Sequence, residues 1–221
     1  MRLGFDNALR KARAWLASSK TVSSVDYWEE RARKFGRRAV LNLAHHESEF
    51  DRVTAQQLQL LLPIFSAQLL GHERRVLDFG CGPGRFTAGL ANSIAGQALG
   101  FDISRELVAL APQSANVSYL AGPVDLLQNA EKFDIIWICL VLGGIKDAAL
   151  PAVAAILSGR LHQGGLLFLV ENTTKKADTA HWYYRDETYY CGLFPEIALQ
   201  FKSTYRDAGE DVSVWAGRKH T

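Results

Sequence analysis

The sequence predicts an α/β fold built on a doubly wound, mostly parallel seven-stranded sheet, with an antiparallel hairpin at its C-terminal edge and an N-terminal helical cap. From residue 75 onward, short β-rich runs mostly alternate with segments that are compatible with helices. Residues 133–138 are apolar on both faces, which suits a strand covered by helices on both sides. The last two runs are separated only by the turn-like residues 207–210. Alternation closed by a hairpin is typical of a doubly wound sheet with one antiparallel edge.

Three helices are expected before the first strand. Apolar residues recur at helical spacing over 5–18, and again from Val25 to Phe35, which predicts two amphipathic helices. A third helix is expected over 53–70, where Pro63 can introduce a kink because proline removes a helix hydrogen bond.

The predicted strands follow in chain order. They span 75–79, 97–101, 117–121, 133–138, 165–171, 197–206 and 211–217. We therefore expect one domain overall, in which residues 1–72 form a cap on a core of residues 73–221.

Composition narrows the class of protein. The chain has 221 residues, of which 48% are hydrophobic and 22% are charged, as in an ordinary globular protein. It contains no apolar run long enough to span a bilayer, and its first residues lack an apolar signal core, so we expect a cytoplasmic protein. The three widely spaced cysteines favour reduced thiols over disulfides or a zinc site.

Charge is unevenly distributed along the chain. Residues 1–40 hold ten Lys/Arg and four Asp/Glu, which gives +6, whereas the remaining residues hold fifteen and nineteen, which gives −4. The run RARKFGRR at 31–38 concentrates the excess. The best explanation of this excess of basic residues is a solvated helix face. The alternative is that the run attracts an anionic partner.

The stretch VLDFGCGPGRFT at 76–87 places an acid and three glycines where the first strand turns into a helix. Glycine there permits positive φ and close approach of a ligand, although a tight turn alone would also use it. Asp102 ends the second strand, where a carboxylate can accept from both ribose hydroxyls. A dinucleotide fingerprint would need glycine or alanine where Arg85 and Thr87 stand. Asp78 instead suits a cationic ligand, so a nicotinamide enzyme is disfavoured.

VLDFGCGPGRFT resembles the first motif of class I S-adenosylmethionine-dependent methyltransferases, and GFDIS resembles their acidic second motif. FDIIWICLVLGGI and LHQGGLLFLVEN resemble the fourth-strand and fifth-strand motifs of that family, so the resemblance covers residues 74–172. It implies a Rossmann-like fold, S-adenosylmethionine as cofactor, S-adenosylhomocysteine as product, and no metal.

The resemblance also implies roles for individual residues. The cofactor-binding residues are Asp78, Gly80, Cys81, Gly82 and Gly84 in the loop, Asp102 for the ribose, Ile103 and Asp125 near the adenine, and Cys139 and Leu140 near the transferable methyl group. Pro123 stands where the family often has an acid, so Asp125 either replaces that acid or caps a helix.

The acceptor side is predicted from two segments. His45 and His46 lie before the third helix, where cap segments of the family fold over the cofactor together with Trp28; a surface histidine pair is the alternative. His181 opens the run HWYYRDETYY, in which Trp182, Tyr184 and Arg185 offer an aromatic wall and a cation. His45 and His181 are the candidate bases, and Glu171 is either an acceptor contact or a helix N-terminal acid.

Three functions remain open at this stage. The leading one is methyl transfer to a small-molecule or glycan-type acceptor, without nucleic acid or membrane partners. A protein or RNA methyltransferase that uses the basic cap is the second. A non-catalytic S-adenosylmethionine-binding subunit is the third.

Overall fold

A computed structural model describes residues 24–42 and 44–220; the helix predicted over 5–18 lies outside them. The α-helices are α1 (Ser24–Phe35), α2 (Phe50–Ser66), α3 (Thr87–Ser93), α4 (Arg105–Val108), α5 (Leu150–Arg160) and α6 (Glu187–Gly192). The strands are β1 (Arg75–Phe79), β2 (Gln97–Asp102), β3 (Val117–Ala121), β4 (Phe133–Cys139), β5 (Leu161–Asn172), β6 (Gln200–Asp207) and β7 (Glu210–Arg218). Short 3-10 helices occupy Gly36–Val40, Glu47–Glu49, Val124–Asn129 and Leu142–Gly144.

The seven strands form one sheet in the order β3-β2-β1-β4-β5-β7-β6. The first five strands pair in parallel, and β7 pairs antiparallel to both β5 and β6. This architecture confirms the predicted fold class. The strand order reverses beside β1, so the carboxyl ends of β1, β2 and β4 face a common crevice.

Element boundaries differ from the predictions at a few places. Strand β5 begins at Leu161, which pairs with Phe133 before the register shifts at Ile135. The pair Gly164-Gly165 therefore lies inside one irregular strand. Helix α2 starts at Phe50 and continues through Pro63 to Ser66. Pro63 lies in the last turn, where it removes one helical hydrogen bond, and the helix ends three residues later.

Both faces of the sheet are covered, as the apolar run of β4 predicts. Ile136 and Ile138 pack in one buried cluster with residues of α5 and α6. Ile135 and Trp137 pack in the other cluster, with residues of α2 and α3. The two cores fix the strands rigidly, which holds the loops at their carboxyl ends in place.

The cap residues that the structure describes pack beside the crevice. The Glu29 carboxylate accepts hydrogen bonds from the backbone N–H groups of Arg105 and Glu106 at 2.8 and 3.2 Å, at the start of α4. Much of the basic run is used within the chain: Arg33 pairs with Glu106, and Arg37 pairs with Asp51. The division into a 1–72 cap and a 73–221 core stays a prediction. Within residues 24–42 and 44–220, no helix has both the length and the apolar character needed to cross a membrane.

Candidate functional site

The glycine loop follows β1 and is tightly confined. Gly80, Gly82 and Gly84 all have positive φ, at 74°, 53° and 74°. A Cβ at Gly80 would lie 2.3 Å from Val141 Cγ2, and one at Gly82 would lie 2.8 Å from Val40 Cγ1. The loop is thus enclosed between the cap and the segment after β4, and both its conformation and its space require glycine.

Asp102 ends β2 and anchors this loop from the side. Its Oδ2 accepts from the backbone N–H of Gly82 at 2.8 Å, and its Oδ1 accepts from that of Ser104 at 2.9 Å. The residue is 8% exposed and lines the cavity described below. Burial raises the pKa of the carboxyl, and the backbone hydrogen bonds oppose that rise.

Asp78 lies near the end of β1, at the base of the loop, and lines the same crevice. Thr87 Oγ1 donates to its Oδ2 at 2.6 Å. Burial raises the pKa of Asp78 to about 7, the Thr87 hydrogen bond opposes that rise, and the neighbouring Asp102 adds to it. A buried carboxyl of this kind gains by binding a cationic group.

A cavity of about 850 Å³ opens at the carboxyl ends of the strands. Its wall includes most of the predicted site residues: Trp28, Asp78, Gly80, Cys81, Asp102, Ile103, Asp125, Cys139, Leu140, His181, Trp182 and Tyr184. Pro123 lines it as well. Gly82 and Gly84 shape the loop from within and do not line the cavity.

Arg185 was predicted on the acceptor side, and Glu171 either there or as a helix N-terminal acid; neither of them lines the cavity. Arg185 is buried and donates to Asp147 Oδ1 and to the carbonyl oxygens of Leu142 and Ile145, at 2.6 to 2.9 Å. The Glu171 carboxylate accepts from three consecutive backbone N–H groups, those of residues 141–143, at 2.7 to 3.3 Å. Both side chains hold the segment after β4 in shape.

The two predicted histidine sites differ in placement. His45 Nε2 lies 2.6 Å from Asp207 Oδ1, and of this pair only Asp207 lines the cavity. His46 is exposed and contacts Ser48 Oγ at 3.0 Å, away from the cavity. His181 lines the cavity and stacks on the Tyr27 ring, with 3.8 Å between ring centroids. That stack joins the cap to the segment after β5.

Trp28 and Trp182 cover the segment after β4 from two sides. A Cβ at Gly143 would lie 2.5 Å from Trp182 Cζ2, and one at Gly144 would lie 3.3 Å from Trp28 Cζ2. Glycine therefore lets both indoles approach the backbone closely. Leu140, which starts this segment, adopts φ 57°, a strained conformation for leucine that is typical of functional sites.

Five charged residues that were not predicted at the site also line the cavity: Arg31, Arg85, Lys146, Asp207 and Glu210. Arg31 lies in the basic run 31–38, and Arg85 stands where a dinucleotide fingerprint would need glycine or alanine. Neither of these sequence features indicates that the side chain lines a cavity. Asp207 and Glu210 were interpreted only as turn residues. Glu210 accepts from Asn172, Lys176 and Tyr184.

A metal ion has no evident place in this part of the molecule. Among residues 24–42 and 44–220, no group of three or more His, Cys, Asp or Glu side chains is arranged to hold one.

Comparison with known proteins agrees with this geometry. Residues 76–165 match the family model described as a methyltransferase domain. A phosphoethanolamine N-methyltransferase of Triticum aestivum is 26% identical over an alignment of 184 residues, which covers 77% of this chain and 34% of that protein. The chain thus spans about a third of the length of this curated relative.

Solved structures share the fold. A magnesium protoporphyrin IX methyltransferase from Synechocystis with bound S-adenosylmethionine has a TM-score of 0.70 and 16% identity, over 91% of this chain and all of that one. The N-methyltransferase NodS from Bradyrhizobium japonicum has a TM-score of 0.65 and 21% identity, over 77% and 99% of the two chains. Residues 76–165 therefore match a methyltransferase domain, and the chain has the Rossmann-like fold of these solved methyltransferases.

Proposed function

We propose that the protein transfers a methyl group from S-adenosylmethionine to a small-molecule acceptor. The single observation that carries the proposal is the joint position of Asp102 and the glycine loop. The acid that suits a ribose lines the cavity and also bonds Gly82 of that loop, at 2.8 Å. At about 850 Å³ the cavity is at the upper end of small-molecule sites, which leaves room for a cofactor and an acceptor together.

The residues present fit this cofactor. Asp78, whose pKa burial raises to about 7, lies where an ammonium or sulfonium group would lower that pKa again. In our proposal Asp102 binds the ribose, and Ile103, Pro123 and Asp125 surround the adenine. Cys139 and Leu140 border the methyl group.

Arg31 is our candidate for the methionyl carboxylate. It donates through Nε to the Ala39 carbonyl at 2.6 Å and through Nη2 to the Leu41 carbonyl at 3.2 Å. Val40, between those two residues, packs against Gly82. Arg31 is therefore tied to the segment that borders the glycine loop.

The bound cofactor would supply a methyl group activated on a sulfonium, and the chain would supply position and exclusion of water. The cavity is bordered by Trp28, by Trp182 and by the His181–Tyr27 stack, which together form a cover. An acceptor that loses a proton can pass it to His181 directly. His45 lies behind Asp207, so it can receive a proton only through that carboxylate.

A small acceptor fits better than a macromolecule. The cover joins the cap to the segment after β5, and the basic run is largely engaged: Arg33 and Arg37 have carboxylate partners, and Arg38 donates to the His45 carbonyl. A protein or RNA methyltransferase would need that run free. A glycan-type acceptor remains within the proposal, and a non-catalytic cofactor-binding subunit is the alternative.

Calorimetric titration of the purified protein tests the cofactor directly. We expect S-adenosylmethionine and S-adenosylhomocysteine to bind, and NAD to bind far more weakly. A protein that bound NAD and neither methyl-donor compound would overturn the assignment. An acceptor screen that monitors S-adenosylhomocysteine release then separates an enzyme from a non-catalytic subunit.

Hydrogen exchange tests the cover. With S-adenosylhomocysteine bound, we expect added protection within residues 24–50 and around His181, because the cover closes over the cofactor. Unchanged exchange in both segments would reduce them to structural packing.

A further inference from the structure

Arg85 occupies an unusual position for a cation, in a wall of the cavity beside aromatic rings. Its guanidinium is fixed by α2, because Nε donates to Thr54 Oγ1 at 3.1 Å and Nη2 donates to Gln57 Oε1. The rings of Phe86 and Phe50 lie 4.8 and 5.8 Å from its Cζ atom. Thr54 and Gln57 are both neutral, so they orient the cation without neutralising it.

Two other arginines with largely buried side chains have an anionic partner. Arg185 lies 2.7 Å from Asp147, and Arg218 lies 2.8 Å from Glu73. Within the part of the chain that the structure describes, no carboxylate oxygen lies within 4.0 Å of the Arg85 guanidinium. Desolvation lowers the pKa of Arg85, although a guanidinium stays charged at neutral pH. A cation in this setting is stabilised when an anion enters the cavity.

The position of Arg85 assigns it to the acceptor part of the cavity. The groups that interact with it electrostatically are Cys139 at the end of β4, Tyr205 and Asp207 on β6, and, last in size, Asp78 on β1. In the sheet, β6 and β7 lie beyond β4 and β5, on the side opposite to β2 and the ribose acid Asp102. Arg31, in contrast, is tied to the segment beside the glycine loop.

A second hydrogen-bond donor lies in the same region. The Tyr205 hydroxyl is buried and has no hydrogen-bond partner among the described residues. It is close enough to Arg85 and Asp207 for electrostatic interaction. Asp207 is itself engaged, because its Oδ1 lies 2.6 Å from His45 Nε2. A guanidinium with open N–H groups beside an unpartnered phenol matches the oxygen atoms of an oxyanion.

We propose that Arg85 is the anion-binding residue of the acceptor subsite, and that the acceptor carries a carboxylate or a phosphate group. The inference rests on the proposed methyl transfer and adds the chemical class of the acceptor. The cation that the sequence suggested for this task, Arg185, is used to hold the segment after β4. Arg85 takes its place, because it lines the cavity.

The first experiment measures binding and needs no acceptor. Wild type, Arg85→Gln, Arg85→Lys and the surface control Arg206→Gln are titrated with S-adenosylhomocysteine, and their complexes are then titrated with inorganic phosphate and with acetate. We expect all four proteins to bind S-adenosylhomocysteine within about twofold of one another. Phosphate or acetate should bind wild type and Arg206→Gln, and bind Arg85→Gln at least about tenfold more weakly, the lower range for a charge-assisted hydrogen bond. Arg85→Lys should recover only part of the affinity, because an ammonium lacks the planar fork.

Three results would overturn the proposal. The first is that neither anion binds the wild-type complex. The second is that both anions bind the Arg85→Gln complex with the same affinity as the wild-type complex. Alternatively, Arg85→Gln weakens S-adenosylhomocysteine about tenfold and leaves 5′-methylthioadenosine, which lacks the amino acid portion, unchanged; Arg85 then binds the cofactor carboxylate. Failure of wild type to bind S-adenosylhomocysteine at all would instead contradict the proposed function. Retained cofactor binding also shows that each variant is folded.

The second experiment uses acceptor pairs that differ only in the anionic group, such as amino alcohols and their phosphate esters, or carboxylic acids and their amides. We expect turnover of the anionic members, with kcat/KM for Arg85→Gln lowered at least about tenfold and Arg206→Gln unchanged. Turnover that is equal for charged and uncharged members, or indifferent to Arg85→Gln, would contradict the inference.

Discussion

Replacement of Asp102 tests the central geometry of the site, because this carboxylate has two tasks. It accepts two backbone hydrogen bonds, at 2.8 Å from Gly82 and 2.9 Å from Ser104, and in our proposal it also accepts from the ribose. Asp102→Ala leaves both buried N–H groups without an acceptor, at a cost of about 1–3 kcal/mol each. Removal of a desolvated carboxylate offsets part of that loss. We therefore expect a net loss of about 1–4 kcal/mol in the free energy of unfolding.

Asp102→Ala should also weaken cofactor binding directly, apart from its effect on the free energy of unfolding. Hydrogen bonds to a charged acceptor contribute about 1.5–3 kcal/mol, so the Kd for S-adenosylhomocysteine should rise by about 10- to 150-fold. Asp102→Asn keeps one acceptor oxygen but presents an amide donor to one backbone N–H, so it should lie between wild type and Asp102→Ala.

Calorimetry with S-adenosylhomocysteine and urea denaturation of the free protein measure the two effects separately. Asp211→Ala is the matched control, because Asp211 is an exposed acid that pairs with Arg206 outside the cavity. If the Kd of Asp102→Ala and of Asp102→Asn for S-adenosylhomocysteine lay within twofold of the wild-type Kd, Asp102 would not be the ribose ligand.

Three further predictions concern the loop and its supports. The folded-state pKa of Asp78 is raised to about 7, so the stability that Asp78 contributes to the free protein is present at acid pH and is lost as pH rises from about 4 through 7. Asp78→Asn should remove this pH-dependent part of the free energy of unfolding, which denaturation at pH 5.5 and pH 8 measures. A pH dependence that is the same in wild type and Asp78→Asn would contradict the assignment. Arg185→Met should lower the free energy of unfolding by about 1–3 kcal/mol, because two backbone carbonyls lose their donor while the exposed Asp147 is resolvated; an unchanged urea midpoint would refute the supporting role. Gly82→Ala should lower the free energy of unfolding by about 1–2 kcal/mol, because alanine is strained in the left-handed conformation, and should weaken the binding of S-adenosylhomocysteine. Adding Val40→Ala should restore part of that affinity, since a Cβ at Gly82 would lie 2.8 Å from Val40 Cγ1. If the double variant restored none of it, the cap would not pack on the loop.

The fold and the residues that meet at the carboxyl ends of the strands could be predicted from the sequence because their signals are local. A strand that ends in an acid and a run of alternating glycines can be identified without tertiary contacts, since positive φ is a property of single residues. Likewise, residues that end parallel strands meet at one edge of the sheet, so Asp78, Asp102 and Cys139 could be placed together. The terminal hairpin is a local signal too.

The surroundings of the two arginines were decided by tertiary structure. Arg85 and Arg185 are both arginines beside aromatic residues in the sequence, and neither position reveals whether a carboxylate or carbonyl partner lies nearby. The fold gives Arg185 to the Leu142 and Ile145 carbonyls and leaves Arg85 facing the cavity. Which charged side chain is free for a ligand depends on residues far away in the chain, and only packing brings those together.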